Sequence, residues 1–236
     1  MTTIDLEDVK IKLYEKLKPS GWGNILKTFI LSSEFDKILE ELLRQAKDGK
    51  RFTPVIKYLF RAFEECTYDT TKVIVFGQDP YPYPNVADGI AFSCSLDNKI
   101  QPSLRYIYKE IKETIYKDQP FHNNPDLKYL SNQGVLLLNT ALTTTTNKIG
   151  SHYKLWQPFI AFLLDNLAFS REDITYVFLG KKAAEWGESI PNNFCKIFET
   201  HPASAAHNKD ERWITKDLFN NINKCCIKNG HSIINW

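Results

Sequence analysis

Three polar side chains with complementary chemistry stand where apolar runs of the sequence end. Asp79 follows the run KVIVFGQ, Asn139 closes GVLLLN, and His201 follows CKIFET. A carboxylate can stabilise positive charge, an imidazole can donate a hydrogen bond to developing negative charge, and an amide presents both a donor and an acceptor. Ligands of open parallel α/β sheets bind beyond the carboxyl ends of the strands. We therefore expect the three side chains to converge on one pocket.

The elements that must position these groups can be read from the hydrophobic pattern. Short apolar runs separated by longer amphipathic stretches are typical of βαβ units and a parallel sheet. The predicted strands cover residues 72–80, 134–140, 174–182 and 195–202, and the predicted helices cover residues 103–116, 156–167, 182–187 and 211–225. Apolar residues at helical spacing between Ile25 and Leu43 predict a helical region over residues 1–68.

Length and composition are those of an ordinary globular chain. The 236 residues, 43% hydrophobic and 25% charged, favour a single domain over residues 1–236, with the α/β core at 69–236. No apolar stretch approaches the roughly 20 residues that span a bilayer, and the acidic start lacks an apolar signal segment. We therefore expect an intracellular protein without membrane contact. The net charge of +2 does not indicate what class of partner the protein binds.

Several familiar kinds of site are disfavoured by missing motifs. The five cysteines form no CxxC pair, and the histidines form no HExxH motif, so neither a metal site nor a disulfide framework is expected. The sequence also contains no GxGxxG, no GxxxxGK[ST] and no GxSxG motif. We expect chemistry without a metal or cofactor, centred on Asp79.

Four segments together carry a family resemblance. GQDPYPYPNVADGIAFS at residues 77–93 resembles the water-activating and uracil-pocket motif of the uracil-DNA glycosylases, which usually begins GQDPYH. VLLLNTALT at 135–143 resembles their LLLNxxLT strand, and HPAS at 201–204 resembles their HPSPLS loop, while Ser151, His152 and Trp156 fit the intervening segment. Order and spacing agree across residues 70–236.

The resemblance implies a fold and an activity. The fold is a three-layer α/β/α arrangement around a short, mostly parallel four-stranded sheet. The activity is hydrolysis of the N-glycosidic bond of deoxyuridine in DNA, without a cofactor, in base-excision repair, wherever the DNA lies in the cytoplasm or nucleus. The target base must be flipped out of the stack to be reached.

The resemblance also implies roles for individual residues. Asp79 orients the attacking water and stabilises the oxocarbenium-like sugar, and neutral His201 donates a hydrogen bond to uracil O2. Asn139 reads uracil O4 and N3–H. Around the base, Phe92 stacks on its face, Tyr81 blocks the position of a thymine methyl, and Gln78 lines the pocket through its backbone. The residues that fit the family's DNA-backbone loops are Pro102, Ser103, Gly180, Lys181, Pro202, Ala203 and Ser204.

Two positions depart from the usual pattern. Pro82 replaces the His of GQDPYH, as in poxvirus members, which predicts slower turnover or a different pH dependence. Ala205 stands at the DNA-contacting position where the family has a bulky Leu, which fills the gap that the flipped base leaves in the duplex. Since an Ala methyl is too small for that gap, we expect a preference for single-stranded DNA.

Two other functions remain open at this point. Poxvirus relatives also serve as polymerase processivity subunits, so the chain could be mainly a DNA-binding module with secondary catalysis. It could also act on another lesion, such as a mismatched thymine. The resemblance implies a monomer, and leaves any protein inhibitor or replication partner unknown.

Overall fold

The computed structural model describes residues 5–117, 119–208 and 212–236. Its α-helices are α1 (Leu6–Leu17), α2 (Trp22–Ile30), α3 (Ser33–Lys47), α4 (Arg61–Glu65), α5 (Pro102–Ile111), α6 (Lys128–Ser131), α7 (Tyr153–Ser170), α8 (Lys181–Ala184) and α9 (Leu218–Lys228). Its strands are β1 (Phe52–Thr53), β2 (Val73–Gly77), β3 (Val135–Asn139), β4 (Thr144–Thr145), β5 (Thr175–Leu179) and β6 (Cys195–Glu199). Within these described ranges, no helix is long and apolar enough to cross a membrane.

A four-stranded sheet lies at the centre of the fold. Its strand order is β3-β2-β5-β6, and all of its pairings are parallel. Three of its strands, β2, β3 and β5, are almost entirely buried, as expected for a parallel sheet covered on both faces. Helices surround the sheet in an α/β/α arrangement, which confirms the predicted fold class and all four predicted strands.

Alternating strand residues build the core on either side of the sheet. Val75, Leu137 and Val177 face a cluster that includes Ile107 of α5 and Ile222 of α9. On the other face, Phe76, Phe178 and Phe198 stack across neighbouring strands, with ring centroids 5.3 and 5.1 Å apart. Side chains of a strand point alternately to opposite faces, so both layers are supplied by the same short apolar runs.

The N-terminal third is helical, as predicted, and shares the core with α7. Phe159 of α7 contacts Phe29, Phe60 and Phe63, with ring centroids 5.3–6.0 Å apart. These tilted and edge-to-face contacts add specific packing to the apolar burial. The N-terminal helices therefore fix the position of α7, whose first turn reaches the site described below.

Two local features differ from the sequence-based expectation. The helix predicted over residues 211–225 begins only at Leu218, because Asp217 has a left-handed backbone and the Thr215 hydroxyl accepts the Leu218 N–H; residues 209–211 lie outside the described ranges. The second feature is a small antiparallel sheet, in which Phe52 pairs with Thr145 and Thr53 with Thr144. Strands of two residues are too short to show a periodic pattern.

Candidate active site

The carboxyl ends of the central strands bring the predicted residues to one edge of the sheet. Gly77 at the end of β2 pairs in register with Asn139 at the end of β3, and Leu179 of β5 pairs with Glu199 of β6. Asp79 and His201 each follow two residues beyond their strand. A cleft of about 180 Å³ opens there, lined by Gln78, Asp79, Pro80, Tyr81, Pro82, Phe92, Ser103, Ile149, His201 and Ala203.

Asp79 is held by one donor on each carboxylate oxygen. The Gly150 N–H donates to Oδ2 at 2.8 Å, and the Tyr153 hydroxyl donates to Oδ1 at 3.1 Å. Burial raises the pKa of Asp79, while the Gly150 N–H, the Tyr153 hydroxyl and Thr144 partly offset that rise. The carboxylate is thus fixed in orientation beside the cleft.

The imidazole of His201 is held as a neutral donor. Its Nδ1 accepts a hydrogen bond from the Ala203 N–H at 3.1 Å, so in the neutral ring the proton resides on Nε2. Burial lowers the pKa of His201 to about 4. At neutral pH the ring is therefore uncharged and has one N–H to donate.

Asn139 lies beside the cleft and lines a recess together with Phe92. A Cβ added to Gly77 would be 2.5 Å from Asn139 Oδ1 and 3.0 Å from Phe92 Cζ, so both side chains pack directly against this glycine. Asn139, Phe92 and Tyr81 line a small adjoining recess. The expected convergence is thus found in part: Asp79 and His201 line one cleft, and Asn139 lines an adjoining recess that shares Phe92 and Tyr81 with it.

Phe92 is held in a conformation that non-glycine residues rarely adopt. Its φ of 66° lies in the left-handed region, which costs on the order of 1–3 kcal/mol and persists only when the surroundings enforce it. Its ring lies 5.9 Å from that of His201, tilted by 44°. The hydroxyl of Tyr81 donates to the Phe92 carbonyl at 3.1 Å, which joins the two aromatic walls of the site.

A buried carboxylate enforces the conformation of this loop. Asp88 is fully buried and accepts hydrogen bonds from the Ile90 N–H at 3.1 Å, the Ser93 hydroxyl at 2.6 Å and the Ser95 N–H at 3.0 Å. Arg61 forms an ion pair with it at 2.8 Å. The loop that carries Phe92 is thus tied both to itself and to helix α4.

Three further residues of the first motif, Gln78, Tyr81 and Pro82, lie at the cleft. Gln78 and Tyr81 line the cleft, and the Gln78 carbonyl accepts the Ala141 N–H at 3.0 Å, which ties β2 to the segment after β3. Pro82 also lines the cleft, and its carbonyl accepts the Asn147 N–H at 2.7 Å. This contact draws the segment 147–150 towards the site.

The predicted DNA-backbone residues are placed unequally. Ser103 and Ala203 line the cleft, Ser204 is partly exposed, and Pro102 and Lys181 are exposed. Gly180 is buried, and a Cβ there would be 2.9 Å from His201 Cβ, so its lack of a side chain makes room for the imidazole. Gly180 therefore leaves space for His201, in addition to its predicted place in a DNA-backbone loop.

Two residues of the His201 loop that the resemblance placed at the DNA, Pro202 and Ala205, have buried side chains. Residues Pro202–His207 form a 3₁₀ helix, in which positions three apart share a face. Pro202 and Ala205 consequently both point inward, and Ala205 is fully excluded from solvent. The exposed positions of this turn are Ala203, Ala206 and His207.

Four further residues of the site were missed from the sequence. Gly150 and Tyr153 contact Asp79 from a segment 71 and 74 residues away, so only the fold brings them together. Asp88 is internal to the recognised motif, where the pair Asp-Gly resembles an ordinary turn. Ile149 lines the cleft while 70% exposed, and an isolated apolar residue in a polar loop was its only signal.

Comparison with known proteins gives a consistent set of relatives. The family model described as "Uracil DNA glycosylase superfamily" matches residues 63–224. A uracil-DNA glycosylase of Campylobacter fetus is 33% identical over 236 residues, covering 99% of this chain and 96% of the relative. One of Campylobacter curvus is 40% identical over 208 residues, covering 86% and 84%.

Solved structures agree with these relatives. Mimivirus UNG Y322L, solved in complex with UGI, is 25% identical with a TM-score of 0.79, covering 93% of this chain and 90% of its own. Mimivirus uracil-DNA glycosylase has a TM-score of 0.81 at 21% identity, covering 99% and 89%, which is a likeness of fold. None of these relatives is described as a processivity subunit.

Proposed function

The chain belongs to the uracil-DNA glycosylase superfamily and hydrolyses the bond between uracil and deoxyribose in DNA, and on that premise we propose that Asp79, His201 and Asn139 perform the reaction. The supporting observation is that Asp79 and His201 line one cleft together with Phe92. The product is free uracil and an abasic site, the first step of base-excision repair.

Asp79 stabilises the sugar side of the transition state. As the glycosidic bond lengthens, positive charge develops on deoxyribose, and a fixed carboxylate offsets it electrostatically. The Gly150 N–H and the Tyr153 hydroxyl hold both oxygens of Asp79, so the group needs no reorganisation when charge appears. Asp79 also orients the water that attacks the sugar.

His201 stabilises the base side. Negative charge develops on the departing uracil, and the Nε2–H of the neutral imidazole donates a hydrogen bond to uracil O2. Its pKa of about 4 keeps this ring neutral under physiological conditions, so it donates without having to give up a full proton. The Ala203 N–H on Nδ1 fixes the tautomer that this role requires.

Asn139, Phe92 and Tyr81 select the base. The Asn139 amide offers a donor to uracil O4 and an acceptor to N3–H, whereas cytosine presents the inverted pattern. Phe92 stacks on the flipped base, and Tyr81 occupies the space that a thymine methyl would need. The close packing of Asn139 and Phe92 against Gly77 supports a pocket built for one planar ring.

DNA is held through its backbone, and single strands are the preferred substrate. Ser103 and Ala203 at the cleft, with the exposed Lys181 and the partly exposed Ser204, supply hydroxyl, backbone N–H and ammonium contacts to phosphates. The exposed Ala206 and the buried Ala205 leave this turn without a bulky apolar side chain to replace the flipped base in a duplex. A monomer suffices for this arrangement.

Release of base from matched substrates tests the assignment. Single-stranded U, U·A, U·G and T·G oligonucleotides are incubated side by side with the protein. Uracil is expected from the first three, fastest from the single strand, and no thymine from T·G. Thymine release at a comparable rate would instead indicate a mismatch glycosylase, and DNA binding without release would indicate a binding module.

A further inference from the structure

We propose that Tyr153 is a positioning residue for Asp79, and that Gly150 and Tyr153 work as one unit to orient this carboxylate. The proposal rests on the assignment of Asp79 as the catalytic carboxylate. It adds a phenol to the site, supplied by the first turn of α7, from a position between His152 and Trp156 to which the sequence analysis gave no role.

The geometry of the carboxylate carries the argument. Each of its oxygens has its own donor, Gly150 N–H on Oδ2 at 2.8 Å and Tyr153 hydroxyl on Oδ1 at 3.1 Å. Hydrogen bonds to an ionised group are about twice as strong as neutral ones, so two of them on different oxygens resist rotation of the carboxylate. A donor on only one oxygen would leave the carboxylate free to rotate.

Gly150 leaves space for the ring of Tyr153. It has a φ of 73°, and a Cβ at this position would lie 2.9 Å from Tyr153 Cε2 and 3.3 Å from Cδ2. Any side chain at position 150 would therefore push the ring away from Asp79. The absence of a side chain lets one residue donate its N–H while the phenol passes beside it.

The position of Tyr153 explains how the site functions with Pro82. Pro82 has no side-chain hydrogen-bond donor, and it lines the same cleft as Asp79. Tyr153 approaches Asp79 from α7 and supplies a neutral donor there. Burial and the charge of Asp79 both raise the pKa of the phenol, so it stays protonated and remains a donor across the working pH range.

Few other titratable groups face Asp79. His201, from the end of β6, and Tyr81 line the same cleft, and Thr144 from β4 is the further hydroxyl that lowers the Asp79 pKa. Lys154, Lys182 and Glu185 line a separate cleft that Tyr153 and Gly150 also border. Loss of the phenol hydroxyl should therefore change mainly the pKa of Asp79.

The test is Tyr153→Phe, which removes the hydroxyl and keeps the ring. The Asp79 pKa is measured by ¹³C NMR of the labelled carboxyl carbon, assigned with Asp79→Asn, so the readout does not depend on activity. We expect a rise of about one pH unit, because a donor to the charged form is lost. The acid limb of kcat/KM for uracil release shifts upward equally, and kcat falls about ten-fold while KM holds.

Tyr68→Phe is the matched control, since its hydroxyl donates to Ser170 at 2.9 Å away from the cleft. It should change neither the Asp79 pKa nor kcat. An Asp79 pKa that is unchanged in folded Tyr153→Phe would overturn the positioning role while leaving the glycosylase assignment intact. A wild-type protein that releases no uracil would contradict the proposed function, whereas the Asp79 pKa comparison would still decide the role of Tyr153.

Discussion

Gly77 and Asn139 are register partners at the ends of β2 and β3, and they touch so closely that a Cβ on Gly77 would lie 2.5 Å from Asn139 Oδ1. The same Cβ would lie 3.0 Å from Phe92 Cζ. A glycine at this strand end thus sets the separation between the Asn139 amide, which we propose reads the base, and the Phe92 ring, which we propose stacks on it.

Gly77→Ala should therefore disable the site. The methyl must displace Asn139 or Phe92 by a fraction of an ångström or more, and such misplacement costs about 100-fold in rate. The measurement is kcat/KM for uracil release beside the unfolding temperature. Gly49→Ala, where no atom lies within 4 Å of the added methyl, is the control and should lose stability without losing activity. Wild-type activity in Gly77→Ala would contradict this account of the pocket.

Asp88→Ala should destabilise the whole protein. The change removes a fully buried carboxylate that accepts four backbone or hydroxyl donors and pairs with Arg61, so a loss of about 3–5 kcal/mol is expected. Urea unfolding measures it. Asp126→Ala removes the more exposed partner of the same arginine and should cost much less. Equal losses would show that burial of Asp88 is not what holds the Phe92 loop.

Leucine substitutions at two neighbouring alanines should affect different properties, stability at Ala205 and the rate on duplex DNA at Ala206. Ala205 is fully buried, so Ala205→Leu overpacks the core and costs about 1–3 kcal/mol. Ala206 is exposed, so Ala206→Leu keeps stability and raises the rate on duplex relative to single-stranded uracil-DNA. Thermal unfolding and paired rate measurements check both. If Ala205→Leu proves neutral in stability and accelerates duplex cleavage, the inward placement of this residue is wrong.

The stability of the protein should decline on acidification partly through His201. Burial lowers its pKa from 6.5 to about 4 in the folded state, so between these values the unfolded chain binds the proton more readily. The free energy of unfolding therefore falls as pH drops from 6.5 towards 4. In His201→Gln this part of the pH dependence should vanish, with replacement of the exposed His207 as the control. An identical slope in His201→Gln and wild type would exclude the linkage.

Much of the site was predictable because its parts lie next to strong local signals. The apolar runs before Asp79, Asn139 and His201 fix the strands, and parallel strands end at one edge of a sheet. Tyr153 and Gly150 carry no such signal, since their partner is more than seventy residues away and depends on how α7 packs. The burial of Ala205 could not be read from the sequence, because a motif gives the order of residues, whereas the pitch of a 3₁₀ turn decides which ones face outward.

The most direct test of the account is release of uracil from a single-stranded uracil-containing oligonucleotide, in EDTA, by wild type and by Asp79→Asn. The account predicts release by wild type in the presence of the chelator and a loss of at least about 100-fold in the variant, which keeps the shape of the side chain and removes its charge. DNA binding should be retained. Equal release by both proteins would contradict the central role of Asp79 in the chemistry.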